Sequence, residues 1–288
     1  MSEPGFHTLL FHALYKDESH REMTHPFLYI SLEELEGCIK VLLDNGYTFL
    51  DPAELGSCNG SGKDILLTFD DGYYDNYHAL EVLEKYSIRA LFFYVEHHIV
   101  EQKLFWWEVY FRNRITETSF HEVYEEMQEL KKLPRARIES MLKDRYGEDC
   151  FEPDDDLNRP MTVDELKRFV AHPLVEIGVH SASHEILTNC TREEVLHEME
   201  GCKRFLEEVT EGSIPFISYP NGDFNDEVLA VAGDLGFEWG FTTLPGLNRR
   251  KRLGERSYKL SLRRNVFPVP HDGNDVVRQV EIFAEQNR

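Results

Sequence analysis

No stretch of the 288-residue chain comes near the roughly 20 consecutive apolar residues that cross a bilayer. No basic region followed by an apolar segment opens it either, since Met1 to Gly5 is polar and His7, His12 and Lys16 soon interrupt the apolar residues. The expectation is a soluble, cytoplasmic protein without a transmembrane segment. Basic residues are scarce, 31 Lys and Arg against 53 Asp and Glu, and the formal charge of −22 repels phosphate backbones and anionic membrane surfaces. Nucleic acid is therefore not an expected partner. Cys38, Cys58, Cys150, Cys190 and Cys202 are odd in number, scattered and free of CxxC pairs, which argues against a disulfide framework and a thiolate zinc site. No internal repeat is present, so a solenoid is not expected.

What is present is alternation. Apolar runs at Thr8 to Phe11, Ile65 to Phe69, Ala90 to Val95, Val175 to Val179, Ile214 to Tyr219, Trp239 to Thr242 and Leu260 to Val266 read as buried strands. Helices lie between them. Ser31 with Glu34 forms a capping box ahead of an apolar face of Leu35, Ile39, Leu42 and Leu43, and Asn45-Gly46 supplies the stop. Thr191 with Glu194 repeats the device before Val195, Met199, Cys202, Leu206 and Val209. The fold class is thus α/β, a distorted (β/α) barrel of about seven or eight strands, with catalytic side chains expected at the C-terminal strand ends. Residues 101–160 break the rhythm and read as a helical insertion within a single 1–288 domain.

Asp70-Asp71-Gly72 ends one predicted strand, and His180-Ser181-Ala182-Ser183-His184 follows another. Two adjacent aspartates share a site only where the strand breaks, and Gly72 permits that break. One carboxylate would join the two imidazoles around a metal ion while the other takes a proton. Trp106 and Trp107 read first as the core of the insertion and second as a sugar platform. His97-His98 reads as a pair of exposed loop histidines, and Asp154 to Asp156 as a solvated turn without EF-hand spacing.

Thr68-Phe69-Asp70-Asp71-Gly72, His180 to His184 and Phe216 to Gly222 (FISYPNG) together resemble three motifs of the NodB-type polysaccharide deacetylases, carbohydrate esterase family 4. The likeness extends from the His12 segment through GFEWGFTT and PGLN to Leu262-Arg263-Arg264, and the helical segment is similar to a branch of the family that carries such an insertion. The resemblance implies that Asp70 is the catalytic base and that Asp71, His180 and His184 hold a divalent metal, zinc foremost, with Co, Ni, Mn or Fe as alternatives. It also implies a backbone N–H at Asn221 for the oxyanion. Where the commoner motif has an arginine, Ser218 stands; Arg264, or less favourably Arg263, would supply the guanidinium. Val269-Pro270-His271-Asp272 loosely matches the segment that carries the general acid, making His271 the candidate and His12 the spatial alternative.

The implied activity is removal of an N-acetyl or related acyl group from an amino sugar in a polysaccharide or its precursor. Two other readings stand beside it: a metal-independent amidase of the same fold, and a catalytically silent carbohydrate-binding protein. On net charge an anionic polymer is a poor substrate, unless Arg249, Arg250, Lys251 and Arg252 line a cationic groove.

Overall fold

The computed structural model describes residues 4–26, 28–57, 62–267 and 276–286. The strands are β1 (Gly5–Phe11), β2 (Ala13–Tyr15), β3 (Tyr29–Ser31), β4 (Thr48–Phe49), β5 (Asp64–Phe69), β6 (Ala90–Tyr94), β7 (Val175–Val179), β8 (Phe216–Ser218), β9 (Trp239–Phe241), β10 (Asn248–Arg249) and β11 (Asn265–Val266). The main sheet runs β10-β1-β5-β6-β7-β8-β9, with β4 beside β5 and β11 beside β1. Apart from the antiparallel β1–β10 pair, its neighbours are parallel. The sheet curls until its ends meet: Leu262 bridges Phe241 of β9, while Asn265 and Val266 pair with Leu9 and Leu10 of β1. This is a distorted barrel, as the alternating pattern predicts.

Both capping boxes form. Helix α1 (Leu32–Asp44) starts on Ser31, and its Glu34 carboxylate returns to the Ser31 N–H. On its face Leu35, Cys38, Ile39 and Leu42 are buried, whereas Leu43, expected on that face, is 40% exposed. A third box, Thr162 with Glu165, opens the short helix Val163–Val170. The other marked difference is at Leu260 to Val266. Leu260 and Leu262 are buried, but only Asn265–Val266 is strand, preceded by the helical turn Arg256–Lys259 and a single bridge at Leu262. Their apolar side chains fill the barrel wall from irregular backbone, which the pattern of hydrophobicity does not distinguish from a strand.

Between β6 and β7 the chain is helical: α2 (Glu96–Glu101), α3 (Trp106–Arg114), α4 (Phe120–Leu130) and α5 (Arg135–Tyr146) precede Val163–Val170. Helices α3, α4 and α5 pack around an apolar cluster in which Trp106, Trp107, Val109, Phe111, Val123, Ile138 and Leu142 are buried together with Ala13, Tyr15, Tyr29 and Tyr73 from the barrel side. His98 corrects the sequence reading, since it lies in α2, is buried, and stacks on Phe105 with its Nδ1 on the Lys103 carbonyl at 2.9 Å. Asp154, Asp155 and Asp156 are exposed at bends, where Asp154 pairs with Arg112 and Asp156 with Arg159. Cys38, Cys150, Cys190 and Cys202 are free thiols, and Cys58 lies outside the described residues. No helix among the described residues is long and apolar enough to cross a membrane.

Candidate active site and metal centre

Parallel strands deliver their C-terminal ends to one side of the barrel, and the polar residues gather there. Asp70 directly follows β5, its N–H donating to the Phe11 carbonyl at 3.0 Å. The left-handed turn begins one residue before the glycine: φ is 73° at Asp71 and 73° at Gly72. A Cβ at Gly72 would lie 2.3 Å from Tyr94 Cδ1, so only glycine fits against that ring. The strand thus ends at the point where two consecutive carboxylates turn into one pocket. Ser181 (φ 64°) and His184 (φ 59°) bend the segment after β7 in the same way, and the Ser181 hydroxyl accepts the His184 N–H at 2.9 Å. Left-handed backbone at non-glycine residues is costly and needs support from its surroundings.

The two segments converge. Asp71 Oδ1 lies 3.4 Å from His180 Nε2 and 3.4 Å from His184 Nε2. Tetrahedral ligands about 2.1 Å from an ion stand about 3.4 Å apart, so these two spacings match those around a divalent ion, and all three ligand atoms lie within 4.8 Å of one another. His180 donates Nδ1–H to the Ser218 carbonyl at 2.8 Å, which orients the ring with Nε2 toward Asp71. Burial opposes a charge on this imidazole, but without a metal the Asp70 and Asp71 carboxylates raise its pKa. Burial opposes a charge on Asp71, yet hydrogen bonding to His180 and His184 outweighs it and holds the carboxylate well below its usual range. Burial also lowers the pKa of His184, favouring the neutral imidazole a metal requires. The Asp71, His180 and His184 set fits a divalent ion.

Asp70 is held differently. Arg264, fully buried, meets it with two parallel bonds of 2.7 Å, Nη1 to Oδ1 and Nη2 to Oδ2. The guanidinium also donates to the Thr242 carbonyl (2.8 Å), the Ser218 hydroxyl (2.7 Å) and, more loosely, the Thr68 hydroxyl (3.5 Å), and Ser218 Oγ reaches Asp70 Oδ2 at 3.1 Å. Burial would raise the Asp70 pKa, but the Arg264 charge and the nearby His180 keep it below the usual carboxylate range. Arg263 is directed elsewhere, donating to the Pro245 carbonyl.

A cleft of about 880 Å³ opens over these groups, within the size range of small-molecule sites. Asn221 is on its rim with φ 59°, its side-chain amide donating to Asp223 at 2.8 Å. His12, immediately after β1, also lines the cleft. Burial lowers its pKa, with the charges of Asp71 and Asp70 acting against that. His271 lies outside the described residues. Lys131, which the sequence reading did not single out, lines the cleft and donates to Asn221 Oδ1 at 3.0 Å, and Trp107 meets the His184 ring edge-on at 4.7 Å. Trp106 and Trp107 are both 7% exposed, so they serve the apolar cluster and the cleft wall at once. The run Arg249 to Arg252 is not in the cleft; Arg249 pairs with Gly5 at the start of β1, the opposite end of the barrel.

The sequence profile described as polysaccharide deacetylase matches residues 58–240, more than half of the chain. The chain belongs to this family. A curated relative is YxkH of Bacillus subtilis (strain 168), named for the same family and 26% identical over 254 residues. That alignment covers 84% of this chain and 66% of the relative, just under two thirds of its length. The barrel is similar to that of the Streptococcus pyogenes deacetylase PplD, solved in complex with acetate (TM-score 0.65, 18% identity, 97% of this chain and 99% of that one). It is also similar to a Bacillus cereus polysaccharide deacetylase (TM-score 0.65, 21% identity, 99% and 70%) and to IcaB from Ammonifex degensii (TM-score 0.64, 18% identity, 99% and 98%).

Proposed function

We propose that the protein is a metal-dependent hydrolase that removes an N-acetyl or related acyl group from an amino sugar in a polysaccharide or its precursor. The observation that carries this reading is the meeting of a metal-fitting triad, Asp71, His180 and His184, with the arginine-clamped Asp70 on the floor of one cleft. Two imidazoles and one carboxylate suit zinc, with Co, Ni, Mn or Fe as alternatives. A bound ion supplies Lewis acidity, polarising the amide carbonyl and lowering the pKa of water.

The protein's own groups then have distinct tasks. Asp70, kept ionised and oriented by Arg264, accepts the proton of the attacking water. The backbone N–H of Asn221 donates to the oxygen on which charge develops. His12 is assigned the proton for the departing amine: it lines the cleft, and the Asp71 and Asp70 charges oppose the burial that disfavours its protonated form. Residues 101–160 act as an inserted helical wall, contributing Trp106, Trp107 and Lys131 to the cleft.

Acetate release from N-acetylglucosamine oligosaccharides, before and after chelation, tests this. Asp70→Asn is expected to lose at least about 100-fold in turnover while still holding metal. Near-normal activity of that variant would remove Asp70 as the base.

A further inference from the structure

Beside the cleft lies a carboxyl group that this chemistry does not use. Glu108 of α3 is 2% exposed, on a helix that also buries Trp106, Trp107, Val109, Tyr110 and Phe111. Its Oε1 accepts from the hydroxyls of Tyr73 (2.8 Å) and Tyr29 (3.4 Å), and its Oε2 from Asn158 Nδ2 (3.3 Å). The Tyr73 hydroxyl in turn accepts the indole N–H of Trp107 at 3.0 Å. Two members of this relay adjoin metal-fitting residues. Tyr73 stands two positions after Asp71, directly beyond the Gly72 turn, and Trp107 packs edge-on against His184 at 4.7 Å.

The carboxyl is an expensive group to bury, and it satisfies three donors. Burial pushes the Glu108 carboxyl up to about 7, with the Tyr73 bond opposing and the Asp71 charge adding to the rise. An apolar residue of similar volume is usually as stabilising as a buried charge, or more so. What the carboxyl provides is direction: it fixes the Tyr73 hydroxyl, whose lone pair then fixes the Trp107 indole.

We propose that Glu108 is a positioning residue for the metal site, acting through Tyr73 on the Asp71 turn and through Trp107 on His184. The inference rests on the metal reading above. It requires that the relay, and not the bulk of α3, sets ligand geometry.

The test is titration of the chelator-stripped full chain with Zn²⁺ and Co²⁺, with the visible Co²⁺ spectrum as a report on coordination geometry, for wild type, Glu108→Gln, Tyr73→Phe and Tyr29→Phe. Glu108→Gln and Tyr73→Phe are expected to weaken Zn²⁺ binding about tenfold or more, as loss of a ligand's supporting partner does, and to alter the Co²⁺ bands. With an acetylated oligosaccharide, kcat should fall while KM stays within about twofold, since the relay acts on the metal ligands and not on the sugar. Tyr29→Phe removes a bond to the same carboxylate without touching Trp107, and should keep Zn²⁺ affinity within about twofold of wild type. Unchanged affinity and spectra in Tyr73→Phe, which keeps the ring even if Glu108→Gln fails to fold, would overturn the proposal. So would equal weakening by Tyr29→Phe, the mark of a merely structural network. Failure of the wild type to bind either ion would instead overturn the metal reading, and this inference with it.

Discussion

Replacing Arg264 by methionine keeps much of the apolar stem and deletes the guanidinium. The side chain is fully buried and directs two 2.7 Å bonds to Asp70, with further bonds to Ser218 and the Thr242 carbonyl. Removing one partner of a buried, hydrogen-bonded ion pair costs about 3–5 kcal/mol, because the other charge is left desolvated. In a chain of this size that lowers the melting temperature by roughly 10 °C. Asp70 also loses its orientation, so turnover should fall by about 100-fold or more. Lysine is a poor substitute, since one ammonium cannot serve two carboxylate oxygens, a hydroxyl and a carbonyl in this planar arrangement. The assay is urea unfolding of Arg264→Met, Asp70→Leu and the double variant, alongside acetate release. The double variant should be more stable than the sum of the two losses predicts, by about 2–3 kcal/mol. An Arg264→Met protein within about 1 kcal/mol of wild type, or strict additivity in the cycle, would refute the assignment of a desolvated pair.

Gly72→Ala is expected to destabilise the chain by more than about 1 kcal/mol and to weaken metal binding, because φ is 73° and the new Cβ meets the Tyr94 ring at 2.3 Å. Thermal melts with and without Zn²⁺ check this, and a wild-type melting temperature contradicts it. Glu108 should give the chelator-treated protein a pH signature of its own. Its carboxyl is raised from 4.5 to about 7 in the folded chain, so folding retains its proton and is favoured at low pH. That advantage disappears as pH climbs from 4.5 to 7, by about 3 kcal/mol in all. Urea midpoints between pH 5 and 8 should therefore show wild type losing stability relative to Glu108→Gln as pH rises; a difference independent of pH would show that Glu108 is not the group responsible.

The barrel and the centre of the site were legible because each rests on a local signal. Asp70-Asp71-Gly72 and His180 to His184 stand where apolar strands stop, and parallel pairing sends those ends to one face. Arg264 came from the family resemblance alone, because Ser218 stands where the commoner motif has an arginine, and the structure pairs it with Asp70. Glu108 was not. Its partners Tyr29, Tyr73 and Asn158 are far apart in the chain and share no periodicity, and a glutamate on a helix usually faces water. His98 was misread because nothing in Glu96 to Glu101 marks a short helix, and its contact with the Phe105 ring is not visible in the local pattern. Leu260 and Leu262 misled for the opposite reason, because apolar side chains that bury from an irregular segment look like strand residues.

The central claim is that Asp71, His180 and His184 hold one divalent ion. Calorimetric titration of the chelator-stripped chain with Zn²⁺, run on wild type and on His184→Ala, addresses it most directly. The account predicts one ion per chain in the wild type and binding weakened by more than about 100-fold when the imidazole is removed. Absence of binding in the wild type, or the same affinity in both proteins, would contradict it.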